Sequence, residues 1–95
     1  MSGSAEVAVT QEGPGKFRVE VHGAGETTSH SVSVPQGLAD ELGWSSETEM
    51  ELVRESFAFL LEREAPTSIL RSFTLDVIGG YFPEYPSEIR KRAPL

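Results

Sequence analysis

Between residues 46 and 64 the apolar side chains Met50, Val53, Phe57, Leu60 and Leu61 recur at steps of three and four. That spacing sets them on one face of a 3.6-residue helix. Leu52 and Phe59 add a second stripe, which widens the arc that must be covered. Glu51, Arg54, Glu55, Ala58 and Glu62 fall on the opposite side. Ser46 and Glu49 stand at capping-box spacing, and Glu47, Glu49 and Glu51 lie where the helix dipole favours acids. Pro66 ends the pattern by pushing Ala65 out of helical conformation. Each large side chain on the inner face contributes about 1.5–3 kcal/mol when fully buried. This helix is therefore the element against which the rest of the chain is expected to pack.

Upstream the period falls to two. Val7 and Val9 share one face of residues 5–10. Phe17, Val19 and Val21 alternate with Arg18, Glu20 and His22, and His30, Val32 and Val34 alternate with serines. Half-buried strands read this way. Gly13-Pro14-Gly15 breaks the first from the second. Gly25 at the first central position of Ala24-Gly25-Glu26-Thr27 suits a type II′ hairpin. That turn pairs Ala24 with Thr27, Val21 with His30, Val19 with Val32 and Phe17 with Val34, and leaves every apolar residue on one side.

Pro35 ends the third strand. Residues 36–43 follow as a short helix stopped by Gly43, and Trp44 plugs the junction with the main helix. Past Pro66, Thr67 or Ser68 caps a turn carrying Ile69 and Leu70. Thr74 caps another, holding Leu75, Val77 and Ile78 and ended by Gly79-Gly80. A last short helix spans residues 87–91, with Pro86 favourable near its start.

The fold class is α+β: a three-stranded antiparallel meander packed on one long helix, with short C-terminal helices. The expected core is Val7, Val9, Phe17, Val19, Val21, Val32, Val34, Leu38, Leu42, Val53, Phe57, Leu60, Leu61, Ile69, Leu70, Leu75, Ile78 and Phe82.

The chain has 95 residues, which suits one domain over residues 5–92 behind a disordered stretch at 1–4. It has no cysteine, which excludes disulfides, thiolate metal sites and cysteine nucleophiles. Neither a signal peptide nor a membrane span is visible, so a cytoplasmic location is expected. The net charge of −7 is uneven. Residues 29–64 carry two basic and eight acidic groups, whereas residues 65–95 carry four basic and three acidic. So acidic a middle disfavours nucleic acid and anionic membranes.

Candidate chemistry is sparse. In the register above His22 points outward and His30 inward, so they cannot share a metal within one chain, and His30 reads as a half-buried histidine at the edge of the apolar face. Asp40 to Glu51 has the length of a calcium loop, but Leu42, Trp44 and Ser45 occupy positions that need ligands and glycine. A Ser–His–Asp grouping lacks a strained nucleophile turn. The carboxylate pairs lie on exposed helix faces, and no glycine pattern opens a helix after a strand. The expectation is no catalytic residue, no cofactor and no metal.

Residues 29–34, the short helix and the longer helix after it resemble the ribbon-helix-helix order of small bacterial repressors and antitoxins. That resemblance implies a strand paired with a second subunit and Ser29, Ser31 and Ser33 reading the major groove. Serines discriminate bases poorly, no Arg or Lys stands beside them, and two preceding strands offer a partner within the chain.

Residues 57–64, Ser68-Ile69-Leu70, Phe73, Val77-Ile78 and Tyr81-Phe82-Pro83-Glu84-Tyr85 are similar to a group of small bacterial proteins, commonest in actinomycetes. The resemblance is closest over residues 57–89. It carries no activity and gives no residue a role, but it implies that the C-terminal pieces belong to one ordered domain. The cluster Tyr81, Phe82 and Tyr85 is the candidate contact surface, since aromatics are enriched in interface cores.

The leading expectation is a non-enzymatic protein-interaction or regulatory module with an unidentified protein partner. An open sheet edge also allows strand addition or homodimerisation. The alternative is a ribbon-helix-helix-like DNA-binding repressor or antitoxin.

Overall fold

The computed structural model describes residues 6–23 and 25–93, the side chain of Ser46 excepted. Strands β1 (Glu6–Gly13), β2 (Lys16–Gly23) and β3 (Glu26–Ser33) form an antiparallel meander. A short strand β4 (Ser72–Thr74) joins β3 in parallel, giving a four-stranded sheet in the order β1-β2-β3-β4. The helices are α1 (Leu38–Glu41), α2 (Glu49–Leu61), α3 (Val77–Tyr81) and α4 (Tyr85–Lys91). The α+β architecture is thus the expected one, with β4 as an addition. The expectations for residues 1–4, Ala5 and Ala24 lie outside the described residues.

The alternation places its apolar face as expected: Phe17, Val19, Val21, His30, Val32 and Val34 are all buried. The β2–β3 register, however, is displaced by two residues. Val21 faces Thr28, Val19 faces His30 and Phe17 faces Val32. Gly23 pairs with Glu26, so Gly25, at φ 79°, stands immediately before the closing pair's Glu26 rather than two residues before the end of the turn. A slip of two leaves every side chain on its own face, which is why alternation alone cannot separate the two registers.

The first hairpin closes with Gly13 opposite Lys16 around Pro14-Gly15. Proline first and glycine second is the type II pattern, and Gly15 has φ 67°. A Cβ there would stand 2.9 Å from the Val34 carbonyl oxygen. β1 runs on to Gly13 rather than stopping at Thr10, with a bulge between Gln11 and Gly13.

Only Leu38–Glu41 of the expected 36–43 helix is helical, between Gly37 at φ 87° and Gly43 at φ 82°. The turn leading into α2 begins one residue earlier than expected. Ser45 N–H donates to Thr48 Oγ1 at 3.1 Å and Thr48 N–H donates to the Ser45 carbonyl at 3.0 Å. Ala65 is extended, as the following proline requires. α3 runs through Gly79 and Gly80 instead of stopping at them, and Thr74 belongs to β4, its hydroxyl donating to Asp76 Oδ1 at 2.6 Å.

α2 separates two packing regions. On the sheet side Phe57 meets His30, ring centroids 5.2 Å apart, and Phe73 at 6.0 Å. On the other side Phe59 meets Tyr85 at 5.3 Å and Phe82 at 5.8 Å, both nearly edge-on. Two members of the expected inner set, Leu70 and Met50, are exposed at 48% and 36%. Leu52, Phe59, Ala39, Trp44, Tyr85 and Ile89 join the buried set. Trp44 Nε1 donates to the Ile89 carbonyl at 3.0 Å and so fixes α4 to the turn before α2.

An ion-paired seam joins the same helices. Arg92 reaches Glu62 at 3.0 Å and Glu55 at 3.6 Å, and Arg63 reaches Glu84 at 3.1 Å and Glu62 at 3.2 Å. Hydrogen bonding from Arg92, with Arg63 beside it, holds the Glu62 carboxyl below its ordinary range. The basic residues 90–92 are all engaged, since Arg90 also bonds the Glu41 carbonyl and Lys91 pairs with Glu88.

Beneath that seam Ser56 and Tyr85 form a buried polar chain. Ser56 Oγ donates to the Leu52 carbonyl at 2.8 Å, so the 2.6 Å bond between Tyr85 and Ser56 is donated by the tyrosine hydroxyl. The two deletions should therefore differ. Tyr85→Phe loses one bond, about 0.5–1.5 kcal/mol, and leaves Ser56 satisfied by Leu52. Ser56→Ala strands a buried hydroxyl donor at about 1–3 kcal/mol. Urea unfolding of both single variants and the double variant checks this. The double should lie close to Tyr85→Phe, and a Ser56→Ala cost below that of Tyr85→Phe would contradict the assigned direction.

Candidate functional site

The sequence points to Tyr81, Phe82 and Tyr85, and the structure divides them. Tyr85 is 1% exposed and belongs to the core, its hydroxyl satisfied by Ser56. It is the first residue of α4, and Pro86 behind it sets the helix that turns Tyr85 and Ile89 inward together at four-residue spacing. Tyr81, at the end of α3, is 66% exposed. Phe82 is half-buried between them. The aromatic triplet is therefore divided, and Tyr81 and Phe82 border a groove that runs away from Tyr85.

The groove has a volume of about 170 Å³ and lies between the end of α2, β4 and α3. Ile69 and Ile78, both buried, form its floor. Leu60, Phe73 and Phe82 line its sides. Leu70 and Tyr81 stand exposed on its rim. The Leu70 side of the rim is tied to β3. His30 sits at 2% exposure under it, and its Nδ1 lies 2.7 Å from the Leu70 carbonyl. A carbonyl only accepts, so Nδ1 carries a proton, and Nε2 lies 2.9 Å from the Thr28 hydroxyl, from which a neutral ring accepts. Ser31 N–H then donates to the Arg71 carbonyl at 2.7 Å, and Leu75 N–H to the Ser33 carbonyl at 2.8 Å. β3 thus holds residues 70–75 of the groove wall by three hydrogen bonds.

His30 is fully buried rather than half-buried at an edge, against Thr28, Leu70 and Phe57, and among the described residues no carboxylate lies within ion-pair distance of it. His22 stays outside, bonded to Thr27 Oγ1 at 3.2 Å and near Glu20 at 3.7 Å. Among the described residues no three metal-ligating side chains gather, and neither hydroxyl in the groove, Ser68 or Tyr81, is hydrogen-bonded to a histidine or a carboxylate. The one charged group in the lining is Glu64, half-buried and, among the described residues, without an ion-pair partner. Its neighbours Glu62 and Arg63 are both engaged in the seam.

Of the three serines expected to face outward from β3, Ser29 and Ser31 are exposed and Ser33 is half-buried. Residues 31–33 are hydrogen-bonded into the sheet on both sides, to β2 and to β4. Among the described residues no helix is long and apolar enough to cross a membrane. Comparison with protein-family models, with curated proteins and with solved structures gave no match. The reading of the groove accordingly rests on its own chemistry.

Proposed function

We propose that this chain is a non-enzymatic protein-interaction module that holds a short apolar segment of its partner in the groove beside Tyr81. The observation that supports it is an open, apolar concavity whose rim exposes Leu70 and Tyr81 while its only charge, Glu64, is unpaired among the described residues. At about 170 Å³ it is smaller than the ~300–1,000 Å³ usual for small-molecule sites. It is sized for one or two bulky side chains of a partner, the anchor geometry of protein interfaces. Glu64 selects an anchor with a lysine or arginine beside it, since opposite charge across an interface sets orientation and on-rate.

The ribbon-helix-helix alternative is less well supported. It needs residues 29–34 free to pair with a second subunit, and 31–33 are already flanked on both sides.

Selection from a random peptide display library tests the proposal. The enriched sequences should carry a bulky apolar residue with a flanking Lys or Arg. Leu70→Glu and Tyr81→Glu should each weaken those peptides about tenfold or more, and Glu64→Lys should reverse the preferred flanking charge. Both rim residues are exposed, so circular dichroism and the thermal midpoint should hardly change. No enrichment, or binders indifferent to both rim substitutions, would defeat the proposal.

A further inference from the structure

The outer edge of β1 is the second unfinished surface, and it is independent of the groove. β1 ends the sheet order, so among the described residues nothing pairs with that edge. Its inward residues Val7 and Val9 are only half-buried, whereas Val19 and Val21, their neighbours on β2, are exposed at 0% and 1%. The strand has no lysine or proline and no bulge before the irregularity between Gln11 and Gly13, and its only charges are Glu6 and Glu12 at its two ends.

Strand parity fixes which backbone groups are free. Gly13 and Lys16 close a two-residue hairpin, so they are a hydrogen-bonded pair, and bonded pairs alternate along an antiparallel ladder. Lys16, Arg18, Glu20 and His22 therefore bond toward β1, where their partners are Gly13, Thr10, Ala8 and Glu6. The other edge of β2 agrees, because the Gly15 carbonyl accepts from Val34 N–H. The N–H and C=O groups of Val7 and Val9 then point away from β2, into the open edge.

We infer that two copies of this chain associate edge to edge through β1, antiparallel, about a twofold axis passing beside Ala8. Odd residues must meet odd residues for their free groups to bond, which leaves few registers. The one centred on Ala8 sets Val7 against the partner's Val9 twice, on the core side of the joined sheet. It sets Ala8 against the partner's Ala8 and Glu6 against the partner's Thr10 on the outer side. The register centred on Val9 would oppose Glu6 to the partner's Glu12, and like charges directly opposite are unfavourable. A twofold axis makes the patch self-complementary, so no second surface is needed. One strand pair buries less than a standard interface, which makes the association weak and concentration-dependent. Each copy carries −7, so salt strengthens it.

Sedimentation equilibrium of the full chain over a concentration series tests this. The mass should climb from 10.4 kDa toward twice that value, and further at higher salt. Ala8 is exposed, so its substitution leaves the single chain folded, as the thermal midpoint will show. Ala8→Glu and Ala8→Lys place like charges across the axis, and each should weaken association about tenfold or more, although Ala8→Lys lowers the net charge. Hydrogen exchange adds the register: the Val7 and Val9 amides should slow with concentration, while the Ala8 amide, already bonded to β2, should not change. A chain monomeric throughout, a dimer indifferent to both Ala8 substitutions, or Val7 and Val9 amides that ignore concentration would each overturn the inference.

Discussion

Phe59→Ala is expected to cost about 3–5 kcal/mol of folding stability, the range for truncating a buried aromatic. That is a large share of the ~5–15 kcal/mol available to a domain. Phe59 is fully buried at the one place where α2 meets both Phe82 and Tyr85, so the void opens between α2 and the C-terminal helices. The ring is also the surface on which Arg63 rests, its guanidinium 3.8 Å from the centroid. From there Arg63 donates to the Phe59 carbonyl at 3.1 Å and to Glu84 at 3.1 Å. Losing the ring therefore loosens the end of α2 and its tie to α4 as well as the packing. Trp44 is the single tryptophan and hydrogen-bonds Ile89 on α4, so its fluorescence reports the same region in a urea titration. A loss below about 1.5 kcal/mol, as for an ordinary volume-conserving swap, would show that the C-terminal helices do not depend on this contact.

The residues in that prediction also show where the sequence was readable. The period of α2 and of the strands is a property of the chain alone, so the inward sets of β2 and β3 and the heart of α2 follow from it. The stripe of Leu52 and Phe59 was legible too: it widens the arc that must be covered, and α2 buries it fully between the sheet and the C-terminal helices. The hairpin register was ambiguous by two residues because both registers bury the same side chains, and Gly25 could take its positive φ at either central position. β4 has three residues, too few for alternation to register, and it exists because the exposed edge of β3 completes it.

The groove was less legible for the same reason. Tyr81 and Phe82 stood out as aromatics, but Leu70 and Phe73 lie in stretches with no period, where an apolar residue gives no sign of facing inward or outward. Leu70 was expected in the core because it is leucine; it is on the rim because its carbonyl, not its side chain, is the part held by His30. Tyr85 went the opposite way. It was expected on a contact surface with the other two aromatics, whereas α4 begins at Tyr85 itself rather than at Ser87, and the helix turns Tyr85 inward. Glu64 had no signal at all, since its meaning comes from losing both neighbours to the seam.

Alkali should destabilise the protein through Tyr85 alone by a further large amount. Burial pushes the Tyr85 hydroxyl up from 10.0 to about 12, and Ser56, which can turn its own hydroxyl proton toward the phenolate once it forms, offsets part of the rise. The protonated form is the neutral one, so a raised pKa means that the folded chain keeps a proton the unfolded chain gives up. The corresponding stability is intact below pH 10 and is lost as the pH climbs to about 12. At 1.36 kcal/mol for each unit, the loss approaches roughly 2.7 kcal/mol. Tyr85→Phe has no such proton. Near neutral pH it should be the less stable chain by about 0.5–1.5 kcal/mol, and above pH 10 the gap should close and then invert. Urea unfolding of both chains across this range reads the difference directly, because every other titrating group is common to the two and cancels. A gap that stays constant from neutral pH to 12 would mean that Tyr85 ionises alike in the folded and unfolded chains, and the buried chain from Tyr85 through Ser56 to Leu52 would lose its place at the centre of the C-terminal packing.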